Sequence, residues 1–325
     1  MRHPLGGHAC ASSWLSPSLS PLAPPPPRTS CSASCTTPAG SSTVPSTKAP
    51  SAAWSVASPP SRRKATRSTC SSSKAPPETS AQGLRSISAE GAELIIAPGF
   101  NQADSIAAVS QEFPATNYVL IDAVVEADNV RSVLFKEHEG SFLVGYLAGT
   151  MTRTGVVGFV GGMDIPLIRN FDFGYQQGVQ AACAECTIIS NYVGTTPAAW
   201  NDPTRAKELA TAQRAQGADI IYAAAGASGN GVIDFVTESM CFTPSGEVRA
   251  TPLLEVPAYD VYAQNCGAGS EPLFFIGVDS NQNPFGDTDG DPATLNHGLT
   301  SMLKRVDVAS ENGALDTANG TFEAG

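Results

Sequence analysis

The first 80 residues lack isoleucine, phenylalanine, tyrosine, asparagine and aspartate. They hold one acidic residue, Glu78, against eight Lys and Arg. Serine, proline, alanine and threonine dominate this stretch. A segment with so few large apolar side chains buries too little surface to offset the entropy that ordering it would cost. We therefore expect no folded core before about Gln82.

Long apolar runs are also missing, since nothing in the chain reaches the roughly 18 residues of a membrane-spanning helix. Met1 is followed by neither a recognisable signal peptide nor a lipidation motif. Taken literally, the sequence predicts a cytoplasmic chain.

Catalytic machinery is hard to find. Two of the four histidines fall in the first 80 residues, and His138 and His297 stand in unrelated contexts, so no Ser-His-acid or Cys-His arrangement emerges. The loop GASGNG at 226–231 differs from the GxGxxG fingerprint in spacing and context, which argues against a dinucleotide site. The sequence therefore predicts a protein that is not an enzyme and that uses no cofactor.

Charge separates the two parts of the chain. From about Gln82 onward lie 29 of the 30 acidic residues and 11 of the 19 basic ones, a formal charge of −18, while the whole chain carries −11. Such an acidic region is a poor partner for nucleic acid. The remaining length is enough for one large domain or two lobes.

Four cysteines fall in this acidic part. Cys241 and Cys266 bracket a Pro- and Gly-containing stretch that suits a disulfide-closed loop. A single CAEC pair, Cys183 and Cys186, without a second pair at zinc spacing is weak evidence for a metal. Two disulfides, or unpaired surface thiols, are the expected states, and we expect no metal.

Short β-branched runs alternate with helical patterns from residue 92 to residue 307, which indicates βαβ units and a largely parallel sheet. Ligands of such sheets sit beyond the carboxyl ends of the strands. The residues found there are glycines, which let a backbone approach a ligand, and Asp or Asn, which offer oxygens to hydroxyls. Examples are the segments VGGMD, AAAGASGNG and GVDSNQN.

Several longer motifs resemble one family closely, in the same order along the chain: FKEHEGSFLVGYLAG, GFVGGMDIPLIRNFDFGYQQGV, TPAAWNDP, YAAAGASGNGV, FFIGVDSNQN and LTSMLKRVD. The chain resembles the BMP (basic membrane protein) or PnrA-like substrate-binding proteins of ABC transporters over residues 82 to about 310. The resemblance implies the α/β type I periplasmic-binding-protein fold, in which two Rossmann-like lobes flank a cleft that holds a nucleoside.

The resemblance also implies a set of ligand-binding residues. Tyr222 takes the place of an aromatic residue that stacks on the base, although family members more often carry Phe there. Asp279 matches the acid that binds the ribose hydroxyls, and a helix cap or turn is its alternative role. The alternatives for the less certain members are a helix cap for Asp164, the first turn of a helix for Glu139 and packing for Trp200. The full set is Tyr222, Gly226, Ser228, Gly229, Asp279, Asp164, Glu139, Trp200 and Lys304.

The beginning of the chain departs from the family, which has a first strand, an Asp, a Gly-rich turn and an SFN motif. The codons that residues 34–50 allow permit this pattern in another reading frame. We therefore expect residues 1–77 to be frameshifted, with a genuine disordered Ser/Pro-rich linker as the alternative. The predicted domains are 78–160, a first lobe without its first strand and helix; 161–298, the second lobe; and 299–325, a truncated return to the first.

Three function classes follow. The first is a non-catalytic binding component of an ABC importer, whose partners are a purine nucleoside and a transporter permease. The second is a binding protein or sensor for another small ligand, such as a sugar or an autoinducer. The third is an α/β enzyme of unknown reaction. The resemblance implies that the intact protein is periplasmic or a lipoprotein attached to the plasma membrane.

Overall fold

The structure is a computed structural model that describes residues 77–325, so the segment expected to be frameshifted lies outside the described residues apart from its last position. Among these residues eight α-helices alternate with the strands. In chain order, the helices are α1 (Pro77–Ala89), α2 (Ala103–Glu112), α3 (Glu137–Met151), α4 (Pro166–Ala182), α5 (Pro203–Ala215), α6 (Gly229–Ser239), α7 (Ala258–Cys266) and α8 (Val306–Asn319).

Ten strands form three sheets within the described range. They are β1 (Leu94–Pro98), β2 (Asn117–Ile121), β3 (Val130–Val133), β4 (Val156–Met163), β5 (Thr187–Gly194), β6 (Ile220–Ala224), β7 (Cys241–Phe242), β8 (Glu271–Pro272), β9 (Phe274–Asp279) and β10 (Gly298–Leu303). The orders are β1-β2-β3, β10-β9-β6-β4-β5 and β7-β8, and all pairs in the two larger sheets are parallel. The predicted alternation and the parallel sheets are confirmed.

The three-stranded sheet packs on a small core of its own. Tyr118 and Leu120 of β2 are fully buried, and they cluster with Ile106 and Val109 of α2. Helix α8 returns to this sheet late in the chain, where Gly313 packs against Val119. The unit built around this sheet therefore combines residues 77–133 with the last helix.

The five-stranded sheet is covered on both faces, as a parallel sheet requires. Helices α3 and α4 contribute to one core, in which Phe159, Tyr175 and Tyr222 are fully buried. Helices α5 and α6 pack on the other face, around residues such as Ile221 and Phe275. With both faces sealed, the carboxyl ends of the strands are the part of the sheet left to meet a ligand.

The chain passes between the two larger sheets twice, through residues 134–155 and after Leu303. The predicted domain limits at residues 160 and 298 fall inside β4 and at the first residue of β10. All of β4 and β10 pairs within the five-stranded sheet, and the limits between domains stay a prediction.

Disulfides join Cys183 to Cys186 and Cys241 to Cys266. The CAEC pair thus forms a short covalent loop at the end of α4, and the second bridge closes the loop that contains α7.

None of the helices in the described range combines the length and the apolar character needed to cross a membrane.

Candidate functional site

Two aspartates mark the carboxyl ends of strands in different sheets. Asp122 follows β2 and Asp279 ends β9, and both adopt left-handed backbone conformations, with φ of 75° and 64°. Residues other than glycine rarely take this conformation, and such strain concentrates at functional positions. The two aspartates therefore direct attention to the region between the sheet ends.

Lys304 connects these strand ends. It follows β10, is 8% exposed, and its Nζ forms ion pairs with Asp122 and, at 3.3 Å, with Oε1 of Glu137. Its backbone N–H donates to the carbonyl of Asp279 at 2.9 Å. The same ammonium lies 5.3 Å from the ring centre of Phe135. Lys304, at the end of the five-stranded sheet, thus contacts groups from the three-stranded sheet and from the start of α3.

The Asp279 side chain is exposed at this junction, yet protein packs closely around its carboxyl group. Desolvation raises the pKa of Asp279; Lys304 opposes this rise, and the nearby carboxylates of Asp122 and Glu137 add to it. The carboxylates of Asp122 and Glu137 therefore pair with the Lys304 ammonium, and the Asp279 carboxylate lies within reach of the charges of all three groups. These four residues are called the Lys304 cluster below. Such a cluster has spare hydrogen-bond acceptors, which suits a ligand that carries hydroxyl donors.

An aromatic pair also joins the two sheet ends. Phe100 follows β1, Trp200 ends the 3-10 turn Pro197–Trp200 after β5, and their ring centres lie 6.2 Å apart at an interplanar angle of 58°. The Trp200 ring packs over two glycines: a methyl group at Gly162 would lie 2.5 Å from its Cζ3, and one at Gly226 would lie 3.3 Å from its Cε3. A side chain at Gly162 would therefore force the ring to move, and one at Gly226 would press tightly against it.

The glycine-rich loop after β6 is mainly structural. Gly226 is exposed and has a positive φ of 56°. Ser228 is completely buried, and its hydroxyl donates to the carbonyl of Ala199. Gly229 is buried at the start of α6. Of the three predicted ligand contacts in this loop, only Gly226 faces solvent.

Tyr222 lies away from the cleft surface. Its ring is fully buried beside Phe159 and Tyr175, at centroid distances of 5.6 and 5.3 Å, and its hydroxyl lies 3.3 Å from that of Ser141. Desolvation raises the pKa of its phenol. Because the middle of β6 carries this ring into the core, the stacking role remains a prediction that this placement does not favour.

Asp164 and Glu139 are paired with nearby cations. The Asp164 carboxylate accepts two hydrogen bonds from Arg169, at 2.7 and 3.1 Å, and this partner lowers the pKa of Asp164. Glu139 is exposed in the first turn of α3, where it pairs with Lys136 at 2.9 Å. Neither carboxylate belongs to the Lys304 cluster, and Glu139 takes the first-turn position that was its alternative.

Glu139 also borders an open hollow of about 480 Å³ between α3 and α4. Its lining is mostly apolar and includes the exposed side chains Phe142, Leu143 and Phe173. This hollow lies on the outer side of the helix pair and contains none of the other predicted ligand residues.

Sequence reasoning missed three members of the site: Phe100, Asp122 and Glu137. Phe100 lies two residues past β1 and Asp122 one residue past β2, so the rule that ligands meet strand ends could have identified both. Glu137 carries no such signal, because its role comes from its contact with Lys304, 167 positions later in the chain.

Comparison with known proteins matches residues 65–240 to the family described as ABC transporter substrate-binding protein PnrA-like. A CD4+ T-cell-stimulating antigen of Listeria innocua is 32% identical over 235 residues, which is 72% of this chain and 58% of that protein. The ABC transporter nucleoside-binding protein BmpA of Lactococcus lactis is 28% identical over 238 residues, 73% of this chain and 60% of that protein. The chain thus spans about three-fifths of the length of these relatives.

Solved structures agree with the fold. A solute-binding protein of an ABC transporter system from Aeropyrum pernix superimposes with a TM-score of 0.58 at 28% identity, covering 76% of this chain and 60% of that one. A transcriptional activator of the comK gene from Bacillus halodurans gives a TM-score of 0.55 at 18% identity, covering 77% and 72%. The second likeness concerns the fold alone.

Proposed function

The chain belongs to the PnrA-like family of ABC transporter substrate-binding proteins and has the type I periplasmic-binding fold; from this premise we propose that it binds a purine nucleoside in the cleft between its two larger sheets. The nucleoside-binding protein of Lactococcus lactis supports this choice of ligand. The bound nucleoside passes to a transporter permease, so the protein works on the outer side of the membrane as the binding component of an importer.

The cluster of Asp122, Glu137, Asp279 and Lys304 is the observation that carries the proposal. A ribose ring offers vicinal hydroxyls that donate to a carboxylate and accept from an ammonium, and such charge-assisted bonds are strong in a shielded cleft. We assign the hydroxyls to Asp279, which is exposed at the junction while Asp122 and Glu137 are occupied by Lys304.

The same cluster disfavours anionic ligands. Three carboxylates against one ammonium give a formal charge of −2, which repels a phosphate placed beside the ribose. The ligand is therefore a nucleoside rather than a nucleotide. Phe100 and Trp200 supply the aromatic surface for the base, since both residues are partly exposed after the ends of strands from the two larger sheets, whereas the Tyr222 ring is buried.

Calorimetric titration of the full chain with adenosine, adenine and adenosine 5′-monophosphate tests this assignment. Asp279→Ala should weaken adenosine binding about tenfold to hundredfold, because a hydrogen bond to a charged group contributes roughly 1.5–3 kcal/mol. Adenine has no ribose, so its affinity should stay the same. Asp289→Ala, in an exposed turn, is the matched control.

An Asp279→Ala variant that bound adenosine as tightly as the parent would refute the ribose assignment. Adenosine 5′-monophosphate binding as tightly as adenosine would contradict the charge argument.

A free sugar is the second candidate, because the carboxylate cluster could hold the vicinal hydroxyls of any sugar. D-ribose is the discriminating ligand. If D-ribose bound the full chain as tightly as adenosine, the aromatic surface would contribute nothing and the sugar would replace the nucleoside.

A further inference from the structure

Ser228 lies at a hydrogen-bonded joint between two turns beside the cleft. Its Oγ donates to the carbonyl of Ala199 at 2.7 Å and accepts from the N–H of Asp202 at 2.7 Å. A hydroxyl has one proton to donate, and here that proton is committed to Ala199. A side chain that is fully buried and bonded in this way joins two pieces of backbone and does not reach a ligand.

The two backbone partners of Ser228 flank Trp200. Ala199 directly precedes Trp200 in the 3-10 turn, and Asp202, the N-cap residue of α5, follows two residues later. Gly162 and Gly226 lie close to the ring itself. The position of Trp200 is thus set by the Ser228 joint on its backbone and by the two glycines beside its ring.

We propose that Ser228 is a positioning residue, which holds Trp200 opposite Phe100 and so sets which flat ligands fit beside that ring. The identity of the flat ligand rests on the proposed function. The position of the ring does not, because the ring contacts exist without any ligand.

The test uses the full chain with Trp14→Phe and Trp54→Phe, which leaves Trp200 as its single tryptophan. Ser228→Ala should raise the acrylamide quenching of Trp200 fluorescence and weaken inosine binding about tenfold, because the backbone on both sides of Trp200 loses a buried hydrogen bond and no longer holds the ring in place. Ser190→Ala is the matched control. It removes a hydroxyl that donates to Asp172 at 2.7 Å on the edge strand β5, and should change neither measurement.

Gly162→Ala provides a second variant that leaves the Ser228 joint intact. Its methyl group would overlap the Trp200 ring, displace it and so produce the same two changes. If both variants give the same two changes, these changes come from the position of the ring and not from a general loss of stability. Thermal unfolding of each variant checks that the chain is folded.

Unchanged quenching in Ser228→Ala would overturn the proposal, whatever the ligand. Raised quenching with unchanged inosine affinity would overturn the proposal as well, because the position of the Trp200 ring would then have no effect on which ligand binds. If the parent failed to bind inosine while Ser228→Ala raised the quenching, the nucleoside assignment would fail and the positioning of Trp200 by Ser228 would stand.

Discussion

Lys304 joins residues that are far apart in the sequence into one buried cluster. Asp122 comes from the end of one sheet, Glu137 from the first turn of α3, and Lys304 from the end of the other sheet. A buried ammonium with two carboxylates compensates the desolvation of all three groups, and removing the cation would leave buried charges without a partner. The cluster therefore serves stability as well as the proposed site.

Lys304→Met should lower the free energy of unfolding by about 3–5 kcal/mol, because Asp122 and Glu137 lose their cation while the apolar stem is kept. Urea unfolding measures this change. Lys207→Met is the control: its pair with Glu238 is partly exposed and should be worth less than about 1 kcal/mol. Equal effects in the two variants would contradict the buried-cluster account.

Single residues also show where sequence reasoning reaches its limit. Asp279 and Lys304 carried a signal in their motifs, and both lie at the junction of the sheets. The motif around Tyr222 gave no indication that its ring points into the core, because the face on which a strand residue lies depends on the packing of both sheet faces. The hydrogen bonds of Ser228 were equally hidden, since its partners lie 26 and 29 positions away.

The close packing of α3 against α4 depends on glycine. Gly145 of α3 lies against the carbonyl of Tyr175 in α4, and Gly178 of α4 lies against the carbonyl of Phe142 in α3. A side chain at either position would overlap the backbone of the facing helix. Because Glu137 is in the first turn of α3, this packing also holds part of the Lys304 cluster.

Gly178→Ala should destabilise the chain by about 1–3 kcal/mol, even though alanine favours a helix by about 1 kcal/mol over glycine. The reason is the overlap of the new methyl group with Phe142. Gly83→Ala in α1 is the matched control, since nothing lies within 4 Å of its added carbon. That variant should gain up to about 1 kcal/mol.

Thermal unfolding of both glycine variants checks the prediction. A Gly178→Ala chain that unfolds at the same or a higher temperature than Gly83→Ala would show that α3 and α4 are free to separate.

At the scale of elements, the sequence predicted most of what the structure contains. The strands LIIAP, NYVLI and FFIGVD and the helices between them follow directly from the alternation of β-branched runs and helical patterns. The short pair β7-β8 was not predicted, because two-residue strands leave no periodicity to detect. The order of the strands within each sheet was not predicted either, because it depends on pairing between distant segments, which a single sequence does not reveal.

For the whole molecule, the two larger sheets place their strand ends at a common junction. Asp122 and Phe100 come from one sheet, and they meet Lys304 and Trp200 from the side of the other. One contact is ionic and the other is aromatic, which matches a ligand with a hydroxylated part and a flat part. The proposed nucleoside has both parts in one molecule.

The most direct measurement compares adenosine with 2′,3′-dideoxyadenosine on the unaltered full chain by calorimetric titration. The two ligands share the base and the ring, and they differ in the hydroxyls that Asp279 is proposed to accept. The account predicts binding of adenosine and at least a hundredfold weaker binding of the dideoxy compound, since two charge-assisted hydrogen bonds at roughly 1.5–3 kcal/mol each are lost. Equal affinities, or no binding of adenosine, would contradict the central claim that this cleft recognises a nucleoside through its ribose.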